Sequence, residues 1–238
     1  MPDKVLNHLF AMLVALPLAS GISASACADI LVFGGTSGVG LETVRQLREN
    51  GEAVTVMVRE TSNLSALNAI DGVTTTVGDA MEMESITRAY ASGDFDTAIS
   101  TLGGKRESGF AVDSVGNIHA IDGATAAGVD RFILVTSIGA GDSRAAAPRG
   151  MLKVLGAVLV EKDKAERHLI DSDLTWTIVR PGFLKDKPRN NQGILTQDTS
   201  AVGVIGRAEV ARLVAESVSS ESTFGRIYSA IEKPKTKN

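Results

Sequence analysis

Thiols, histidines and aromatic side chains are scarce in this chain. One Cys among 238 residues excludes an internal disulfide framework and a thiolate zinc site. Three scattered histidines, His8, His119 and His168, are too few and too dispersed for a His-rich metal cluster, so no metal site is expected. Excess positive charge is also missing: 24 Lys+Arg stand against 28 Asp+Glu, for a net charge of −4. A nucleic-acid partner is normally met by a basic stripe, and none is present. No GxSxG occurs, which removes the nucleophile-elbow arrangement of a serine hydrolase. Internal repeats, low-complexity tracts and domain-splitting linkers are absent too. What the chain does have is 44% hydrophobic residues against 22% charged, enough for one folded core. Its length suits a single α/β domain, since single cores grow to roughly 250 residues.

No apolar run is long enough to span a bilayer comfortably. The one near the N-terminus, Leu9–Leu18 (LFAMLVALPL), follows a polar start and precedes a small-residue stretch ending Ala26-Cys27-Ala28. That is the layout of a secretory signal over residues 1–28, with cleavage after Ala28 starting the mature chain at Asp29. Export to the periplasm is the expectation. The alternative is an uncleaved helix that packs on a cytoplasmic domain, or that anchors it through residues 9–20 with the domain facing the cytoplasm. No twin-Arg pair precedes the run, so export of a folded, cofactor-loaded protein is not indicated.

From Asp29 onward, short apolar runs alternate with segments of helical period. Strands are predicted at Asp29–Phe33, Ala53–Val58, Val73–Val77, Thr97–Thr101, Arg131–Ser137 and Trp176–Arg180, with a seventh at Arg226–Ala230. Helices are predicted near 39–50, 82–91, 112–127, 150–172 and 207–219. Continuous runs such as DILVF and FILV are those of strands buried on both faces. The alternation predicts a single Rossmann-type doubly wound parallel sheet over 29–238, order 3-2-1-4-5-6, with helices on both faces. The stretch 183–206, rich in Lys, Asn, Gly and Thr, reads as a long functional or mobile loop.

The first strand runs into Gly34-Gly35-Thr36-Ser37-Gly38-Val39-Gly40 and then into a helix. Gly34 permits the tight turn, Gly38 lets the backbone approach a pyrophosphate, and Gly40 lets the helix press on the strand. Thr36, Ser37 and Val39 lie between them, and the free amides of the helix start face the phosphates. The end of the second strand is where such folds choose their cofactor. Arg59 stands there and suits a 2′-phosphate, which favours NADP, while the adjacent Glu60 keeps NAD open.

The strand–glycine turn, Gly78-Asp79, Ser100–Gly103, ATAAGVDRFILVTS and ERHLIDSDLTWTIVRPG together resemble atypical short-chain dehydrogenase/reductases. The resemblance is to the NmrA-like and biliverdin-IXβ/flavin-reductase-like branch, which includes chloroplast NADP-binding proteins, and it covers nearly all of 29–238. It implies that Asp79 and Ala80 lie along the adenine, and that Thr101, Leu102 and Gly103 flank the ribose and pyrophosphate. It also places Ser137 beside the nicotinamide, Pro181 and Gly182 over it, and Lys162 on the nicotinamide ribose. Ser137 and Lys162 are the catalytic candidates, although Lys162 sits in a mixed-charge run that would equally suit a solvated helix face. His119 and His168 read as packing or surface residues, and Asp96, Asp113 and Asp122 as helix-start or turn acids.

Family members that oxidise alcohols carry a Tyr four residues before that Lys, and this chain has Val158 there. Tyr90 and Tyr228 fall elsewhere. Losing a general acid removes a factor of roughly 10²–10⁴ from carbonyl reduction, so alcohol dehydrogenation is disfavoured. Two expectations remain. One is an NADPH-dependent reductase whose small-molecule hydride acceptor, a flavin, quinone or linear tetrapyrrole, draws its proton from water. The other is a non-catalytic NADP-binding redox sensor or assembly protein. An open apolar pocket lined from 183–206 favours the first, and a site filled by Phe183 or the 140–150 segment favours the second.

Overall fold

The computed structural model describes residues 29–104 and 110–233. The signal-like segment, with His8, Cys27 and residues 9–20, lies outside the described residues. Among those described, no helix is long and apolar enough to cross a membrane.

Six strands follow the sequence closely: β1 (Asp29–Phe33), β2 (Ala53–Val58), β3 (Val73–Val77), β4 (Thr97–Ser100), β5 (Arg131–Val135) and β6 (Thr175–Pro181). The stretch 183–206, expected as a loop, instead carries three short strands: β7 (Phe183–Lys185), β8 (Gly193–Thr196) and β9 (Val204–Gly206). They are too short to show alternation, and pairing decides them: β7 runs beside β9 and β8 joins the main sheet. With β10 (Arg226–Glu232), the sheet order is β3-β2-β1-β4-β5-β6-β10-β8. All neighbours are parallel except β8, which runs antiparallel to β10 at the edge.

Among the described residues five α-helices cover the sheet: α1 (Gly38–Glu49), α2 (Met83–Tyr90), α3 (Asn117–Ala127), α4 (Arg149–Ile170) and α5 (Arg207–Glu216). Period-2 alternation divides each apolar strand between two cores. Ile30 and Val32 of β1 face one layer, with Val44 and Leu47 of α1 and Val210 and Val214 of α5. Leu31 and Phe33 face the other, with Ile86 of α2, Ile121 of α3 and Leu169 of α4. A run such as DILVF is continuous because both of its faces are dry.

Two buried charges hold the periphery. Arg131, at the start of β5, donates to Thr175 O (3.0 Å), Thr177 Oγ1 (2.6 Å) and Ser217 O (2.8 Å), and lies 4.5 Å from the Phe224 ring centroid. Burial lowers its pKa to about 10. Glu209, in the first turn of α5, accepts the amides of Asn190 (2.9 Å), Asn191 (2.7 Å) and Gly193 (2.9 Å) and a hydrogen bond from Arg212 (3.0 Å). It thereby pins the 190–193 turn to the helix. Burial alone would raise the Glu209 carboxyl, but these donors outweigh it and hold its pKa below the ordinary glutamate value. A carboxyl depressed on folding contributes stability above its unfolded pKa of about 4.3, which is lost as pH falls through the folded value. Glu209→Gln is therefore expected to shrink the difference in urea stability between about pH 6 and pH 3. An unchanged difference would contradict this role.

Candidate functional site

The strand order reverses at β1, which pairs with β2 on one side and β4 on the other. A crevice must open there at the carboxyl ends of the strands, where open α/β sheets bind ligands. It is a cleft of about 870 Å³, of a size to hold a small-molecule cofactor.

The floor is the turn after β1. Gly34 has φ +83°, and its carbonyl accepts the Thr101 hydroxyl at 3.1 Å. A Cβ on Gly40 would lie 2.2 Å from that carbonyl oxygen, so α1 presses on the turn as closely as backbone allows. Ser37 makes no side-chain cap and the first turn of α1 holds no acid. The first amides of a helix have no intrahelical partner, so those of α1 are left for an anion. Gly34, Thr36, Ser37, Gly38, Val39 and Gly40 all line the cleft.

The walls come from the other strand ends. After β2, Arg59 reaches the rim with no side-chain acceptor among the described residues, and Ser62 stands beside it. Glu60 is outside the lining. After β3, Asp79 and Ala80 face the cleft, the Asp79 carboxylate accepting Met81 N at 2.9 Å. His119 contacts Ala80 O at 2.9 Å and packs there, while His168 contacts Asp122 at 2.6 Å on the surface. After β4 come Thr101, Leu102 and Gly103, after β5 comes Ser137, and Pro181 ends β6. Gly182 is the exception among the expected residues. It lies outside the lining, its Cα packed so closely that a Cβ would meet Gly203 O at 2.2 Å.

Lys162 is not on a solvated face. It lines the cleft with 13% of its side chain exposed, and its Nζ lies 2.8 Å from Asp113 Oδ1. Asp113, expected only as a helix-start acid, is 1% exposed and accepts Gly104 N at 2.7 Å through its other oxygen. A π-helical turn, Val112–Gly116, leads into α3 and carries this carboxylate. Asn117 spans the turn, donating to Asp113 O (3.0 Å) and accepting the Ser100 hydroxyl (2.6 Å). Such one-residue bulges mark functional positions in helices but leave no sequence signature to read. Ser137 donates its hydroxyl to Ile138 O at 3.0 Å. The neighbouring Thr136 donates to Glu166 Oε1 at 2.5 Å, and Glu166 grips Arg180 through both carboxylate oxygens (3.0 and 2.7 Å).

No described tyrosine serves the cleft. The Tyr90 hydroxyl donates to Ala120 O at 2.7 Å, where burial pushes its pKa well up, and Tyr228 donates to Ser222 O. Val158, four residues before Lys162, faces the cleft with Leu155, Leu159 and Leu184. Neither Phe183 nor the 140–150 segment lines it. Among the described residues there is no cluster of metal-ligating side chains. Cations at the rim, small residues on the floor and free helix amides fit a dinucleotide.

Comparison with known proteins agrees with this geometry. Residues 34–221 match a family described as NAD(P)H-binding. The chloroplastic protein TIC 62 of Pisum sativum is 32% identical over 215 residues, covering 79% of this chain and 40% of that protein. The chain therefore spans well under two thirds of that relative. The NAD(P)H azoreductase of Xenophilus azovorans is 33% identical over 155 residues, covering 65% of this chain and 48% of the enzyme. Among solved structures, ChuY, an anaerobillin reductase from Escherichia coli O157:H7, superposes with a TM-score of 0.78 at 32% identity, covering 88% of this chain and 99% of ChuY.

Proposed function

The chain belongs to the NAD(P)H-binding family, and from that premise we propose that it is an NADPH-dependent reductase of a flavin-, quinone- or tetrapyrrole-like acceptor. One observation carries the reading. The end of the cleft between Lys162 and Pro181 is open and walled by Leu155, Val158, Leu159 and Leu184, with Lys162 as its one side-chain cation among the described residues. Such a wall suits a flat apolar acceptor and supplies no phenol. The reductases among the relatives, ChuY and the azoreductase, support the reaction class.

In this reading the glycine turn and the α1 amides hold the pyrophosphate, Asp79 and Ala80 border the adenine, and Thr101, Leu102 and Gly103 flank the ribose. Lys162, fixed by Asp113, binds the nicotinamide ribose, while Ser137 and Pro181 border the ring. When bound, the nicotinamide supplies two electrons as a hydride. The chain contributes position, and the acceptor takes its proton from water. Arg59 selects the 2′-phosphate.

The test is NADPH oxidation by purified protein with a panel of flavins, quinones and linear tetrapyrroles. Turnover of none of them would sink the enzyme reading. In parallel, Arg59→Ala is expected to weaken NADPH binding by about tenfold or more and leave NADH unchanged. Equal losses for both cofactors would remove NADP selection from Arg59. Residues 1–28 are assigned to targeting this domain to a membrane route. N-terminal sequencing of the protein recovered from cell fractions tests it: a start at Asp29 supports cleavage and export, and an intact Met1 in the membrane fraction supports an anchor.

A further inference from the structure

We infer that Arg207 is a second anion-binding group of the cleft, holding the cofactor's pyrophosphate together with the glycine turn at the N-terminus of α1. The inference rests on the cofactor reading of the cleft and adds a residue that the glycine motif does not contain. Arg207 is the first residue of α5, and α5 packs along α1. Its side chain lines the cleft, and its Nε lies 3.9 Å from where a Cβ on Gly38 would stand. Gly38 is the first residue of α1. The guanidinium thus sits where two helix N-termini meet, and neither α1 nor α5 has a side-chain cap.

That placement is electrostatically backward for a purely structural cation. Helix N-termini carry partial positive charge and favour acids, so an Arg over two of them raises the energy of the site. The acid that α5 does carry in its first turn, Glu209, is turned away to the 190–193 amides. Among the described residues one carboxylate answers the guanidinium: Asp186 Oδ1, 2.7 Å from Nη1, on a side chain 88% exposed. A solvated carboxylate offsets little of the field. It engages one nitrogen of the fork, and Nε, the atom nearest the α1 N-terminus, has no acceptor among the described residues. A doubly charged diphosphate at the α1 amides would satisfy both the guanidinium and the N-terminus of α1.

ADP-ribose separates this role from the others, because it has the pyrophosphate but neither the 2′-phosphate nor the nicotinamide. In calorimetric titrations of the full chain, Arg207→Gln is expected to raise the Kd for ADP-ribose, NADH and NADPH by the same factor, about tenfold. Arg207→Lys keeps the charge and should lose less. Arg59→Ala should raise the Kd for NADPH alone. If Arg207→Gln does not fold, Arg207→Met carries the comparison, judged against an unchanged melting temperature. ADP-ribose affinity within twofold of wild type in a folded, uncharged Arg207 variant overturns the inference. So does a loss confined to NADPH, which would make Arg207 a 2′-phosphate group. A wild-type chain that binds none of the three ligands overturns the cofactor reading as well.

Discussion

Replacing Glu166 with alanine is expected to lower the unfolding free energy by about 3–5 kcal/mol, the range for removing one partner of a buried ion pair. Glu166 is 1% exposed and Arg180 3%. Burial on its own would lower the Arg180 pKa, but the hydrogen bonds and charge of Glu166, followed by those of Asp142, reverse this and raise it. Without Glu166 the guanidinium keeps only Asp142, whose side chain is 63% exposed, and Thr136 loses the acceptor of its 2.5 Å bond. A domain of this kind has roughly 5–15 kcal/mol in all, so the variant would sit near the threshold of folding. The loss belongs to the orphaned charge more than to the pair itself, and that can be separated. Glu166→Leu combined with Arg180→Met should recover much of the stability that either change alone removes. Urea denaturation of the four proteins reads it directly. A single Glu166→Ala costing less than about 1 kcal/mol would mean that water reaches Arg180.

The sequence carried the fold because both of its signals were local. Five-residue apolar runs such as DILVF and RFILV are strands whichever way they pair, and a strand order of 3-2-1-4-5-6 is then the common solution for alternating helices. Residues 183–206 escaped because β8 is a strand only by virtue of β10 beside it, and β7 only by virtue of β9. A pairing partner distant in the chain leaves no period to read. The site divides in the same way. Gly34 to Gly40 are fixed by backbone geometry, which glycine spacing reports. The partners that set the side chains are long-range: Asp113 is 49 positions from Lys162, and the Thr101 hydroxyl reaches Gly34 O across 67. Arg207 opens a helix far from the glycine turn and reaches it only because α5 lies along α1. Gly182 shows the converse. Its place in the WTIVRPG motif suggested the cleft, yet its missing side chain makes room for Gly203 O.

Of all substitutions in the cleft, Gly40→Ala should affect cofactor binding most. The added methyl would lie 2.2 Å from Gly34 O and 2.4 Å from Thr101 Oγ1. Both atoms are fixed, since the Thr101 hydroxyl bonds Gly34 O and Phe33 O while its amide bonds Phe33 O. Neither can swing aside as a long side chain would, so α1 must move away from the turn. Overpacking of this kind costs about 1–3 kcal/mol of stability. Binding suffers more, because the α1 amides, the turn and Arg207 converge on one place and lose register together. With two or more charge-assisted bonds misaligned, the Kd for NADPH and for ADP-ribose should rise by about 100-fold or more. Gly150→Ala is the control, because nothing stands within 4 Å of the position its Cβ would take, in the first turn of α4. There the same methyl should raise stability by up to about 1 kcal/mol through helix propensity, with cofactor affinity unchanged. If the two alanines weaken binding alike, the effect is general loosening of the chain. A loss confined to Gly40→Ala ties affinity to the contact between α1 and the turn, where sequence, backbone and ligand charge meet.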